Sequence, residues 1–347
     1  MTDLDQAIVS ALRDRAEGAV DTRLLTARAV AGGQARRRRR RMAAGAALGL
    51  TAVLSVGVAA GPPESGSPPP AAAPVRLVVA PPRVDGIAGA ATRPDLVGAD
   101  PKVLHFGVDP ARGRYLGWAV AEGVESVRID VGSGRTVSVD LARSSSALSE
   151  RPMEGLEVGL RELATEAAFD GRTVTVADGS RQVRVRHWQP SRGLYARAVV
   201  IDGPQAELLV AADALRWDEP RRCTAPIQLT TLPPGAAVAS CRVDVSAFPG
   251  RLNGTLTLVR GTDQLMSVSL EYNEGIEGGR TAANRTVDGR PAYLYPTGRQ
   301  LELLGIPKAH LTAMFGWPGS GFTEADAATA LGGVRLADDL ARPESWR

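Results

Sequence analysis

The side chains with the clearest chemistry are two cysteines and one alternating stripe. Cys223 and Cys241 are the only cysteines in the chain and stand 18 positions apart. In an oxidising compartment such a pair is expected to close a disulfide, and a loop of that length stabilises a fold by about 3 kcal/mol in the chain-entropy view. The alternative is a pair of buried free thiols. Arg184, Arg186 and Trp188 alternate with Val183 and Val185, a period of two that places the three on one face of a strand. That face reads either as a binding stripe for an anionic polymer or as an ordinary solvated sheet face. No metal site is expected, because His105, His187 and His310 have no ligand spacing. The stretch Gly275, Ile276, Glu277, Gly278, Gly279, Arg280 reads as a loop, since Glu274 and Glu277 would repel a phosphate.

No nucleophile elbow, phosphate-cradling loop or zinc signature occurs. The chain is therefore read as a non-enzyme with no catalytic residue, no cofactor and no metal. A hydrolase is kept as an alternative, because catalytic groups can converge from distant positions.

The elements that position these residues are mainly hairpins. Val127, Ile129 and Val131 alternate with charged residues, Gly132 to Gly134 turn the chain, and Val137, Val139 and Leu141 alternate again. Val174 and Val176 with Val183 and Val185 make a second hairpin, and Leu256 and Leu258 with Val268 and Leu270 a third. Helical spacing appears at Leu156, Leu160, Leu163 and Ala167, around 206–215 and around 324–331. The expected fold class is α+β. A weak repeat links Val176, Asp178 and Gly179 to Val287, Asp288 and Gly289, each followed by an Ala-rich helix. It suggests two tandem α+β units, 102–222 and 223–347.

Charge placement sets the topology. Residues 1–41 carry ten arginines against five acidic groups, so the rest of the chain is near neutral, at −2. The basic pI belongs to the tail, and nucleic-acid binding has no compositional support beyond it. Residues 42–60 are nineteen positions without a charge, close to the ~20 that a membrane-spanning helix requires. Six consecutive arginines at 36–41 precede them, which puts the N-terminus in the cytoplasm and the bulk of the chain outside the cell membrane. Val58, Ala59 and Ala60 also fit a cleavage site, but a 41-residue leader is far longer than a signal peptide, so an uncleaved single-pass anchor is expected. Residues 61–101 are rich in Pro and Ala and read as a spacer, with reach on the order of 100 Å.

This order of tail, arginine cluster, span, spacer and β-rich domain, with phrases such as Leu104, His105, Phe106 and Gly123 to Val127, resembles single-pass membrane proteins of actinobacteria. The layout is similar to that of transmembrane anti-sigma factors, which implies a tail that holds a cytoplasmic partner and an exported sensor. Their zinc-binding H-x-x-x-C-x-x-C pattern is missing, since residues 1–41 contain no His or Cys. The expectation is a membrane-anchored extracytoplasmic binding or interaction module of the cell envelope, with a protein or an envelope polymer as partner. A signalling regulator of the anti-sigma type is the second reading.

Overall fold

Alternating apolar residues dominate the architecture. The computed structural model describes residues 79–150, 169–276, 282–316 and 321–346, all within one compact unit, Pro74–Arg347. The tail, the span at 42–60, the first part of the spacer, the helix expected around 156–167, most of the 275–280 loop and Trp317 lie outside the described residues. Among the described residues no helix is long and apolar enough to cross a membrane.

Thirteen strands form the main sheet: β1 (Arg114–Ala121), β2 (Val124–Asp130), β3 (Val137–Ala142), β4 (Asp170–Asp178), β5 (Arg181–Ser191), β6 (Leu194–Ile201), β7 (Ala236–Asp244), β8 (Arg251–Arg260), β9 (Gln264–Asn273), β10 (Arg285–Val287), β11 (Arg290–Leu294), β12 (Gln300–Leu303) and β13 (Ala309–Met314). Their spatial order is β10-β11-β12-β13-β9-β8-β7-β1-β2-β3-β6-β5-β4, and every neighbouring pair is antiparallel. The three expected hairpins are β2–β3, β4–β5 and β8–β9.

The strand order repeats on either side of the central β1–β7 pair. In each half a three-strand meander runs outward, and a second meander returns from the edge to dock its last strand on the first. The second half has one strand more. The β1–β7 seam, from Gly117↔Asp244 to Ala121↔Ser240, joins residues on opposite sides of the expected 222/223 boundary into one continuous sheet.

The β-rich part of the expected fold class holds, while the helical share is small. Three short α-helices occur among the described residues: α1 (Ser145–Glu150), α2 (Gln205–Asp213) and α3 (Glu324–Gly332). Helices α2 and α3 follow the returning meanders and bury Leu208 and Ala211, and Ala327, Ala330 and Leu331, in the main core. Helix α3 starts on a capping box, in which Asp326 N–H donates to Thr323 Oγ1 and Thr323 N–H to Asp326 Oδ2.

The spacer assignment needs correction at its C-terminal end. Within 61–101, Val79, Ala90 and Val97 are buried in the core, and the Ala90 and Ala91 amides donate to His105 and Trp217 carbonyls at 2.7 and 2.9 Å. Proline-rich composition marks an extended backbone, whether solvated or laid against a sheet, and from residue 79 onward this backbone is packed. The same core holds Trp118, whose indole donates to the Cys223 carbonyl at 2.8 Å. Cys223 and Cys241 form the expected disulfide, with Cα atoms 6.1 Å apart. It ties the segment between the halves to β7.

Candidate functional site

Strand β5 carries the stripe predicted from its alternation. Val183, Val185 and His187 are buried on one face, while Arg184, Arg186 and Trp188 on the other are half-buried. The register sets Thr175 opposite Arg184, Thr173 opposite Arg186 and Asp170 opposite Trp188. The Arg186 guanidinium lies over the Trp188 ring at 5.9 Å, a cation–π contact that aligns both side chains. Arg184 donates to the Gly203 carbonyl and to Gln182 Oε1.

Two features of this stripe are open. Thr173 Oγ1 and Arg186 Nε, on cross-strand neighbours, are buried without a hydrogen-bond partner among the described residues, and such groups cost free energy until something satisfies them. In addition, β4 ends the sheet, so no strand pairs its outer edge among the described residues. Its side chains are largely exposed, Val174 by 39%. A Val/Thr-rich edge of this kind is a template for another strand. The hairpin holds four arginines, at 172, 181, 184 and 186, against Asp170 and Asp178, so its field favours an acidic partner.

The opposite face of the same strands is closed. The Phe169 ring meets His187 at 5.0 Å and Tyr195 at 5.1 Å. Burial, with the positive Arg197 nearby, pushes the His187 pKa down to about 4, so its ring is neutral at ordinary pH. Arg197, fully buried, donates to Asp140 Oδ2 at 2.6 Å and to the Leu148 carbonyl of α1 at 2.6 Å, and Ser126 donates to Asp140 Oδ1.

Two further buried carboxylates were not anticipated from the sequence. Glu125 accepts from the amides of Gly98 and His105 at 2.8 and 2.6 Å and meets His105 Nδ1 at 2.6 Å. Glu302 accepts from the Tyr295 hydroxyl at 2.8 Å and meets His310 Nδ1 at 2.6 Å. The first pins the packed N-terminal segment to β2; the second links β12 to β13 and to the chain just after β11. Their signal in the sequence is a charged residue inside a strand pattern, as with Glu125 beside Val124 or Glu302 between Leu301 and Leu303.

Three cavities of about 260, 320 and 370 Å³ border the segment 80–84. Their linings bring no Ser, Cys or His to a carboxylate. Among the described residues no group of three or more His, Cys, Asp or Glu could hold a metal ion.

No protein-family model matches the chain, and no curated protein matches it. Solved structures that resemble it include MucB in complex with MucA(peri), at 13% identity, covering 71% of this chain and 97% of that one with a TM-score of 0.22. Another is the Pseudomonas aeruginosa MucA/MucB complex, also at 13% identity, covering 71% and 98% with a TM-score of 0.23. At these TM-scores the likeness establishes neither a shared fold nor a function.

Proposed function

We propose that the chain is a membrane-anchored extracytoplasmic interaction module, non-enzymatic, that holds an extended acidic segment of a partner protein along the free edge of β4. The observation that carries this reading is that, among the described residues, the outer edge of β4 is unpaired and lies beside unpartnered Thr173 Oγ1 and Arg186 Nε. An added strand would supply backbone hydrogen bonds to the edge, and its acidic side chains would meet Arg184 and Arg186. The edge favours a polypeptide over an envelope polymer, because only a polypeptide offers the matching ladder of N–H and C=O groups. The span at 42–60 and the outward orientation rest on the charge pattern of the sequence. The anti-sigma reading rests on residues 1–41, and co-purification of a sigma factor with them is its test.

The experiment is a titration of the full chain in detergent with a labelled octapeptide alternating Val or Thr with Asp or Glu. The expected result is saturable binding that weakens at least tenfold in an Arg184→Glu/Arg186→Glu variant and when two central peptide residues are replaced by proline. Equal binding of the proline peptide, or of polyphosphate, would show that the arginines read charge alone and would sink the edge-pairing reading.

A further inference from the structure

The phase of the open ladder on β4 follows from the strand behind it. The Gln182 carbonyl accepts from the Asp202 amide at 2.7 Å, so the main-chain groups of Gln182 face the β6 side. A strand residue points its N–H and C=O to one side, so Gln182 exchanges no main-chain hydrogen bond with Ala177, its partner in register. The N–H and C=O of Ala177 therefore point away from β5. Pairing from Thr173↔Arg186 to Asp178↔Arg181 runs without a shift, so Thr175 and Thr173 point outward as well. No strand pairs with these groups among the described residues.

Thr175 is the midpoint of this trio. An antiparallel copy of β4 laid along the edge, with Thr175 opposite Thr175, sets Thr173 opposite Ala177 and Ala177 opposite Thr173. Every outward-facing residue then meets an outward-facing residue, and each such pair exchanges two main-chain hydrogen bonds. A slide of two residues in either direction leaves one of the trio unmatched. The side chains fit the same alignment. On one face Val174, 39% exposed, meets half-buried Val176; on the other, exposed Thr175 meets itself and exposed Ala177 meets Thr173. At both ends Arg172 falls opposite Asp178, opposite in sign. Arg172 already pairs with Asp170 and Asp178 with Arg181, so the ends admit this alignment and the main chain sets it. The arginine stripe does not oppose it. Arg184 stands opposite Thr175, so Arg184 and its copy are three strand spacings apart, about 14 Å, beyond the roughly 8 Å screening length at physiological ionic strength.

We propose, resting on the open edge of β4 that carries the partner-binding reading, that β4 pairs antiparallel with β4 of a second copy of this chain about a twofold axis at Thr175. One patch then serves both sides, as a twofold interface demands. Two edges joined by main chain and small side chains bury well under the roughly 1,200 Å² of a stable interface, so the pair is weak and depends on concentration. Self-pairing and an added acidic strand use the same outward N–H and C=O groups and exclude one another. The self-pair covers the edge at rest and opens to admit the partner.

The test is oxidative cross-linking of the full chain in detergent. Cys223 and Cys241 are the only native cysteines and are joined to each other, so an introduced cysteine is the single free thiol. Hydrogen-bonded antiparallel partners have Cα atoms about 5.5 Å apart, within reach of a disulfide. Thr175→Cys should therefore form a covalent dimer at least tenfold faster than Ser180→Cys, an exposed control in the turn between β4 and β5. Thr173→Cys mixed with Ala177→Cys should cross-link, while either alone should react no faster than the control. A saturating acidic octapeptide should slow the Thr175→Cys reaction at least tenfold. Thermal melting checks that each variant is folded. A folded Thr175→Cys protein that reacts no faster than Ser180→Cys overturns the self-pairing, and octapeptide binding that persists in that case leaves the partner-strand reading standing. Cross-linking in the predicted register without octapeptide binding supports the self-pairing and sinks the partner-strand reading alone.

Discussion

Arg197 and His187 carry opposite electrostatic demands within one buried cluster. The Arg197 charge is fully buried and balanced by Asp140, so Asp140→Ala should destabilise the domain by about 3–5 kcal/mol, read as a fall in denaturant midpoint. Replacing both by apolar residues of similar volume should recover most of that loss. His187 is neutral because burial lowers its pKa from 6.5 to about 4. The unfolded chain therefore binds this proton more readily than the fold does. The neutral ring's contribution, about 3 kcal/mol, is complete above pH 6.5, declines as the pH falls, and is gone below about 4. A His187→Phe variant should flatten the acid limb of stability between pH 6.5 and 4, and an unchanged limb would contradict this origin. Arg197 interrupts an apolar run, and the alternation around His187 is plain in the sequence. Their partners are not, because Asp140 and Arg197 meet only when β3 docks on β6, 57 positions away along the chain.

At the scale of elements, what the sequence reveals depends on whether an element's partner is local. The hairpins β2–β3, β4–β5 and β8–β9 are readable because alternation and a glycine turn lie within about twenty residues. Helix α1 is not, since Ser145–Glu150 has no apolar period and is held in the adjoining core by Leu148, with Ala147 packed against it. The stripe of Arg184, Arg186 and Trp188 is legible as a face, whereas its position next to the sheet's last strand is a fact of topology. The disulfide between Cys223 and Cys241 fixes an element boundary. Its removal in a double Cys→Ala variant should lower stability by about 3 kcal/mol, measured by denaturant unfolding against the oxidised protein. Thr323→Ala should remove the cap of α3 and lower stability by about 1 kcal/mol in the same assay.

For the whole molecule, the β1–β7 seam makes one sheet of two halves whose strand order repeats apart from one extra strand in the second, which is why we propose tandem units at 102–222 and 223–347 that share a sheet. The seam pairs residues 119 to 127 positions apart, beyond the reach of any local pattern. The continuous sheet leaves two ends, and they differ. The β10 end is short, and next to it Arg285 pairs with Glu324 of α3. The β4 end is nine residues long and exposed. Addition of a partner strand to this end is tested by hydrogen–deuterium exchange of the full chain with and without the acidic octapeptide. Slowed exchange in amides of 170–178 on peptide binding is the predicted result. Peptide binding that leaves 170–178 unprotected while another segment becomes protected would contradict it.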